Sequence, residues 1–151
     1  MFVVIYIGIL LIIAVTDWNT QVIYDRYHIM ILALAVLNMY LSAGHGITDK
    51  LIGAVIVSVP MFVFAFIIPG AFGGGDIKLM AVIGFFLGWK MSLTAFMLAV
   101  FSGGIYGIGL LLSKKKGAKE HFAFGPFLCA GTALTLFVGE WLLSWYLSII
   151  F

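Results

Sequence analysis

Two aspartates stand out as residues able to do chemistry in an otherwise apolar chain, Asp17 and Asp76. Asp76 follows three consecutive glycines, Gly73, Gly74 and Gly75, in the stretch Pro-Gly-Ala-Phe-Gly-Gly-Gly-Asp-Ile-Lys-Leu that parts two apolar runs. Asp17 closes the first apolar run of the chain. A carboxylate at the end of a membrane helix is unfavourable unless it reaches water or a partner, so each is a functional suspect. Two such groups brought together in a low-dielectric site cannot both ionise comfortably, and one keeps a proton. The ionised one can take a proton from water while the neutral one hydrogen-bonds a carbonyl oxygen. That division of roles cleaves a peptide bond without a covalent intermediate.

Other chemistries have less to stand on. Serines and threonines are scattered without a His-Asp pairing, and His28, His45 and His121 fall in different loops, which argues against a metal site. The single cysteine, Cys129, excludes an internal disulfide and a cysteine-based zinc cluster, and reads as a small packing residue. The glycines are not a phosphate loop, since Lys78 is followed by leucine. No cofactor is implied, and a net charge of +2 carries no nucleic-acid signature. The carboxylates also have plainer readings. Asp76 could be the N-cap of its helix with Lys78 snorkelling beside it, and Asp17 could sit idle among headgroups. Intramembrane carboxylates also line ion paths, so an ion-coupled transporter or assembly subunit is an alternative, although no inverted repeat is visible. Asp25 is expected to solvate a loop, and Glu140 to lie at an interface.

The elements that must carry these residues are membrane helices. Of the 151 residues 64% are hydrophobic and 9% charged, with a mean hydropathy of +1.23. Soluble domains carry about 25% charged residues. The chain is therefore an all-α polytopic membrane protein, one bundle of about six helices forming a single domain over 1–151. The N-terminus lacks a positive n-region and a cleavage pattern, so it reads as a retained span. At roughly 20 apolar residues per crossing the spans fall at 2–17, 28–44, 50–69, 76–89, 91–112 and 125–148. The first and fourth are short, which suggests that they end in a protein-lined, wet cavity. Pro60 should kink the third, Pro69-Gly70 should stop it, and Gly125-Pro126 should open the sixth. Gly84 with Gly88, and Gly103 with Gly107, allow close helix approach.

Charge sets the orientation. Arg26, Lys78, Lys114, Lys115, Lys116 and Lys119 fall on one side of the six-span frame, and Lys50 and Lys90 on the other. The positive-inside bias makes the first side cytoplasmic and puts both termini outside, where Trp141, Trp145 and Tyr146 form an interfacial anchor. The first helix ends, and the fourth begins, on the cytoplasmic side, so Asp17 and Asp76 share a face.

Gly73-Gly74-Gly75-Asp76-Ile77-Lys78-Leu79 resembles the Gly-x-Gly-Asp-x-Lys-Leu motif of the type IV prepilin peptidases, membrane-embedded aspartic proteases. Asp17 followed by Ile23 and Asp25 resembles the first catalytic aspartate of that family with its apolar-Pro-Asp/Asn triplet. Phe124-Gly125-Pro126 resembles the segment that opens the family's last helix. The resemblance implies that Asp17 and Asp76 are the catalytic pair and that Gly73 and Gly75 give the backbone freedom to bring them together. It implies a prepilin or pseudopilin as substrate, cut after its short basic leader at the cytoplasmic face while its apolar helix stays in lipid. Asp25 would then be placed to attract the leader, and Lys114–Lys119 would serve as a topology anchor. Tyr24 departs from the family's proline, and no four-cysteine domain is present, so the chain looks like a minimal peptidase without methyltransferase activity. The presenilin and signal-peptide-peptidase proteases share only Gly73–Asp76 with it, since Tyr24-Asp25 falls in a loop and no Pro-Ala-Leu segment occurs. No oligomeric state follows from the sequence.

Overall fold

The computed structural model describes residues 2–41, 46–112 and 123–150. Lipid offers no hydrogen bonds, so a chain this apolar must satisfy its backbone within each segment, and helices do that. Every regular element among the described residues is accordingly an α-helix. These are α1 (Phe2–Thr20), α2 (Asp25–Leu41), α3 (Ile47–Ile56), α4 (Ser58–Ile67), α5 (Gly74–Leu87), α6 (Trp89–Leu112) and α7 (Gly125–Ile150). Since α3 and α4 continue one another over Ile47–Ile67, the described residues form the six helical segments expected. Four of them (Phe2–Thr20, Ile47–Ile67, Trp89–Leu110 and Gly125–Tyr146) are long and apolar enough to cross a membrane. The side chains they turn outward are large and apolar, among them Val4, Leu11, Phe62, Phe66 and Phe137. Trp141, Trp145 and Tyr146 are exposed on the last turns of α7.

Pro60 interrupts the third span as expected, and helix ends elsewhere differ from the sequence expectation for local reasons. Pro60 has no N–H to give the carbonyl of Ile56, and the helix breaks one residue beyond that carbonyl, at Val57. The Ser58 hydroxyl donates back to the carbonyl of Ala54 across the break. Asp17 does not end α1. The helix runs one turn further, to Thr20, and closes where Gln21 adopts φ 53 and its N–H reaches the Asp17 carbonyl at 2.8 Å. Finally, α5 starts at Gly74, two residues ahead of Asp76.

The centre of the bundle is α5, which packs against α2, α3, α4, α6 and α7. Its 14 residues span about 21 Å, short of the roughly 30 Å hydrocarbon core. Both of its ends are therefore met by protein. Leu79, Met80 and Ile83 form its buried face with Tyr6, Leu10 and Ile13 of α1, Ile31 of α2, Met61 of α4 and Leu128 of α7. Gly84 and Gly88 admit α3 at Gly53, the close approach that a small-residue pair four apart allows: a Cβ on Gly53 would run into the Gly84 carbonyl and the Gly88 backbone. Gly103 of α6 takes the ring of Phe124, 3.0 Å from where its Cβ would be.

Lys50 corrects a further expectation. Placed by sequence among loop charges, it is only 3% exposed in α3, and its Nζ donates to the carbonyl of Phe86 at 3.1 Å.

Candidate active site

In α1 the buried residues Tyr6, Ile9, Leu10, Ile13 and Asp17 recur at intervals of three and four, and in α5 Asp76, Leu79, Met80, Ile83 and Phe86 do the same. Each aspartate therefore continues the inward stripe of its helix. Asp17 is 4% exposed and Asp76 8%, which is not the setting of idle charges among headgroups.

The two stripes meet at one end of the bundle. Ile23, in the short connection between α1 and α2, is the joint. A Cβ on Gly75 would lie 3.1 Å from Ile23 Cβ, and one on Gly125 would lie 3.1 Å from Ile23 Cδ1. The Asp17 carboxylate rests on the backbone of Gly125, where a Cβ would come within 2.5 Å of Oδ2, so only glycine lets it approach there. The Gly125 N–H faces that carboxylate, yet Oδ2 has no hydrogen bond of regular geometry among the described residues. Asp17 and Asp76 lie within electrostatic reach of each other, and both within reach of the Cys129 sulfur one turn along α7.

Asp76 is the third residue of α5, not its N-cap. Its Oδ2 accepts the N–H of Gly73 at 3.3 Å. Gly73 stands at the cap with no side chain to return the bond, so this is one half of a capping box. A carboxylate in the first turn also suits the positive end of the helix dipole. The glycine turn is tied down from the far side of the sequence, where the rings of Phe72 and Phe124 meet with centroids 5.7 Å apart. The Phe124 carbonyl accepts from Phe127 and Leu128 to open α7, and Pro126 falls in that first turn, where an N–H is not needed.

Sequence reasoning passed over His28. It lies in the first turn of α2, is 6% exposed, and its Nε2 donates to the Gly75 carbonyl at 3.1 Å. Nothing local signals a pairing across 47 residues. Asp25, expected to solvate a loop, is instead the first residue of α2. Its Oδ1 lies 2.9 Å from Lys78 Nζ and 3.5 Å from His28 Nδ1. Lys78 is thus an ion-pair partner as well as an exposed cation, and Asp25, still exposed, shares its charge with Lys78. Among the described residues no group of three His, Cys, Asp or Glu side chains stands close enough to hold a metal. His45, His121, Lys114, Lys115, Lys116 and Lys119 lie outside the described residues.

Comparison with known proteins adds a second line of observation. A family model described as the type IV leader peptidase family matches residues 4–108. A prepilin leader peptidase/N-methyltransferase of Bacillus subtilis (strain 168) is 35% identical over 145 residues, which is 96% of this chain and 58% of that protein. One from Aeromonas salmonicida (strain A449) is 37% identical over 78 residues, 52% of this chain and 27% of that protein. One from Legionella pneumophila is 33% identical over 76 residues, 50% of this chain and 26% of that protein. The chain therefore corresponds to little more than half of the Bacillus relative and to about a quarter of the other two. No solved structure matches it.

Proposed function

The chain belongs to the type IV leader peptidase family, and we propose that it is an aspartic endopeptidase that removes the short basic leader from type IV prepilins or pseudopilins. Asp17 and Asp76 are the catalytic pair in this reading. The observation that carries it is the meeting of two buried carboxylates, delivered by separate helices, at one end of the bundle.

In this scheme one carboxyl is ionised and the other protonated. The ionised group removes a proton from water as the water oxygen attacks the scissile carbonyl. The protonated group donates to the carbonyl oxygen, giving a tetrahedral diol. As the diol collapses, the first group gives its proton to the departing amine, the second takes one back from a diol hydroxyl, and the C–N bond breaks, leaving the pair ready for another turn. Gly73, Gly75 and Gly125 matter because backbone must lie close to both carboxylates, and Phe124 and Pro126 because they fix the entry of α7. Arg26 and Lys78 lie at the same end as the pair, and by the positive-inside bias that end is cytoplasmic, in the cell membrane, with both termini outside. The apolar helix of the substrate would stay in lipid against the outward faces. The described helices form one peptidase domain, and the proposed reaction calls on no metal or cofactor.

The test is cleavage of a prepilin-like peptide by the detergent-purified chain and by its Asp17→Asn and Asp76→Asn variants. Each variant should fold and lose cleavage. Normal cutting by both would end the proposal. A substrate whose leader lacks its basic residues should be cut more slowly.

A further inference from the structure

The glycine turn ahead of Asp76 has little of its own to hold it. Gly73 and Gly74 are exposed, and a Cβ on Gly74 would touch nothing within 4 Å. A backbone this free samples many conformations, whereas a catalytic carboxylate must be held within about half an ångström of its working position. Besides the Phe72–Phe124 ring contact and the Gly73 N–H to Asp76, the restraints come from the segment that follows Asp17 in the chain. Ile23 packs on Gly75, His28 Nε2 holds the Gly75 carbonyl, and Asp25 pairs with Lys78 two residues beyond Asp76.

Of these, the His28 bond acts nearest the chemistry. The Gly75 carbonyl belongs to the peptide group that joins Gly75 to Asp76, so whatever orients that carbonyl sets the direction in which Asp76 leaves the backbone. A carbonyl oxygen only accepts, so Nε2 must carry the proton. His28 is nine-tenths buried, and its other nitrogen faces Asp25 without a hydrogen bond of regular geometry. Resting on the proposed role of Asp76, we infer that His28 is a positioning residue: its Nε2–H, bonded to the Gly75 carbonyl, holds the peptide that aims Asp76 at Asp17. His28 touches neither substrate nor the reacting atoms. It acts through one backbone bond.

The experiment compares His28→Ala, which removes the donor, with His28→Gln, whose amide N–H can reach the same carbonyl. Two readouts are taken on the purified full chain: cleavage of a prepilin-like peptide, and amide hydrogen exchange of the segment 72–79 without substrate. His28→Ala should lower kcat at least tenfold with KM within twofold of the parent, and speed exchange in 72–79 at least tenfold. His28→Gln should stay within about threefold of the parent in both. Equal losses in the two variants would show that the ring fills space rather than donates, and overturn the inference. Unchanged exchange in His28→Ala would overturn it also, as would faster exchange at an unchanged rate when Asp76→Asn is dead. If Asp76→Asn cuts normally, the catalytic reading fails and this inference with it. The exchange readout, which needs no cleavage, tells that failure from the others.

Discussion

The two ends of α5 both carry a buried charge, and they treat it in opposite ways. At the C-terminal end Lys50 donates to the Phe86 carbonyl, Gly88 closes the helix at φ 85 through its N–H to Gly84, and the Asp49 carboxylate lies against Gly88. A cation over the last carbonyls is where the helix dipole wants one. At the N-terminal end Asp76 has only a long bond from Gly73, and its neighbour Asp17 keeps an oxygen without a regular partner. One end is neutralised and closed. The other brings two acids within electrostatic reach of each other, an arrangement that disfavours ionising both. In the proposed reading that arrangement serves chemistry, and replacing a functional buried acid commonly raises stability while destroying activity.

The largest expected effect follows from that contrast. Asp17→Asn and Asp76→Asn should each lower the rate of leader cleavage by about 10³-fold, within the range for losing a positioned acid or base. Their melting temperatures in detergent should equal or exceed that of the parent. A variant that lost both activity and several degrees of melting would mean that the acidic end is structural, like the basic end, and the comparison would fail.

The next effect concerns close approach. At the closed end, Gly84→Ala forces a methyl into the Gly53 backbone, which cannot step aside, and should cost about 3 kcal/mol, at the upper end of overpacking. At the open end, Gly74→Ala meets nothing and should be neutral or stabilise by up to about 1 kcal/mol through the unfolded chain. Thermal or denaturant unfolding of the two variants side by side measures the difference. Comparable losses would show that the glycine turn is as tightly packed as the α3–α5 crossing.

What could be read in the sequence divides along the same helix. The apolar lengths located the helices, Pro60 announced the break, and Gly73–Asp76 marked the turn, because each is a local instruction to the backbone. Whether a helix turns Lys50 or Gly84 inward is not local. These helices are apolar on nearly every side, so no polar face tells which side the bundle covers. That is why the sequence puts Lys50 with the loop charges and Asp17 at a helix end rather than on an inward stripe, and why Gly84 and Gly88 announce a close approach without naming Gly53 as its partner. His28 with Gly75, and Asp25 with Lys78, join positions 47 and 53 residues apart. Only the folded chain displays such pairs.

A smaller effect is expected from Lys50→Met, which keeps the apolar stem and removes the charged donor. The Phe86 carbonyl loses its bond from Lys50, but the desolvated ammonium is also gone, and the two changes partly offset. A net loss of about 1 kcal/mol is expected, with kcat for cleavage within about twofold of the parent. A large fall in kcat would show that the two ends of α5 are coupled through the helix, contrary to the separation drawn above.

The smallest effect lies at the surface of the acidic end, ahead of the apolar span 28–44, where Asp25 and Lys78 are both more than half exposed. Lys78 holds the Asp25 carboxyl below its usual value of 3.8. A carboxyl depressed in the folded chain binds protons less readily there than in the unfolded one, so the pair stabilises fully above the ordinary value. That contribution is lost as the pH falls below it, through the folded value. The melting temperature of Lys78→Met should therefore sit slightly below the parent's at neutral pH and merge with it in acid, and added salt should narrow the neutral-pH gap. The gap for Lys50→Met, which rests chiefly on the Phe86 carbonyl, a group that does not titrate, should for the most part persist through the same acid range, losing only the share owed to Asp49. If the Lys78→Met gap also stayed open in acid, the cation at the acidic end would be acting through its packing, and charge would not be what distinguishes the two ends.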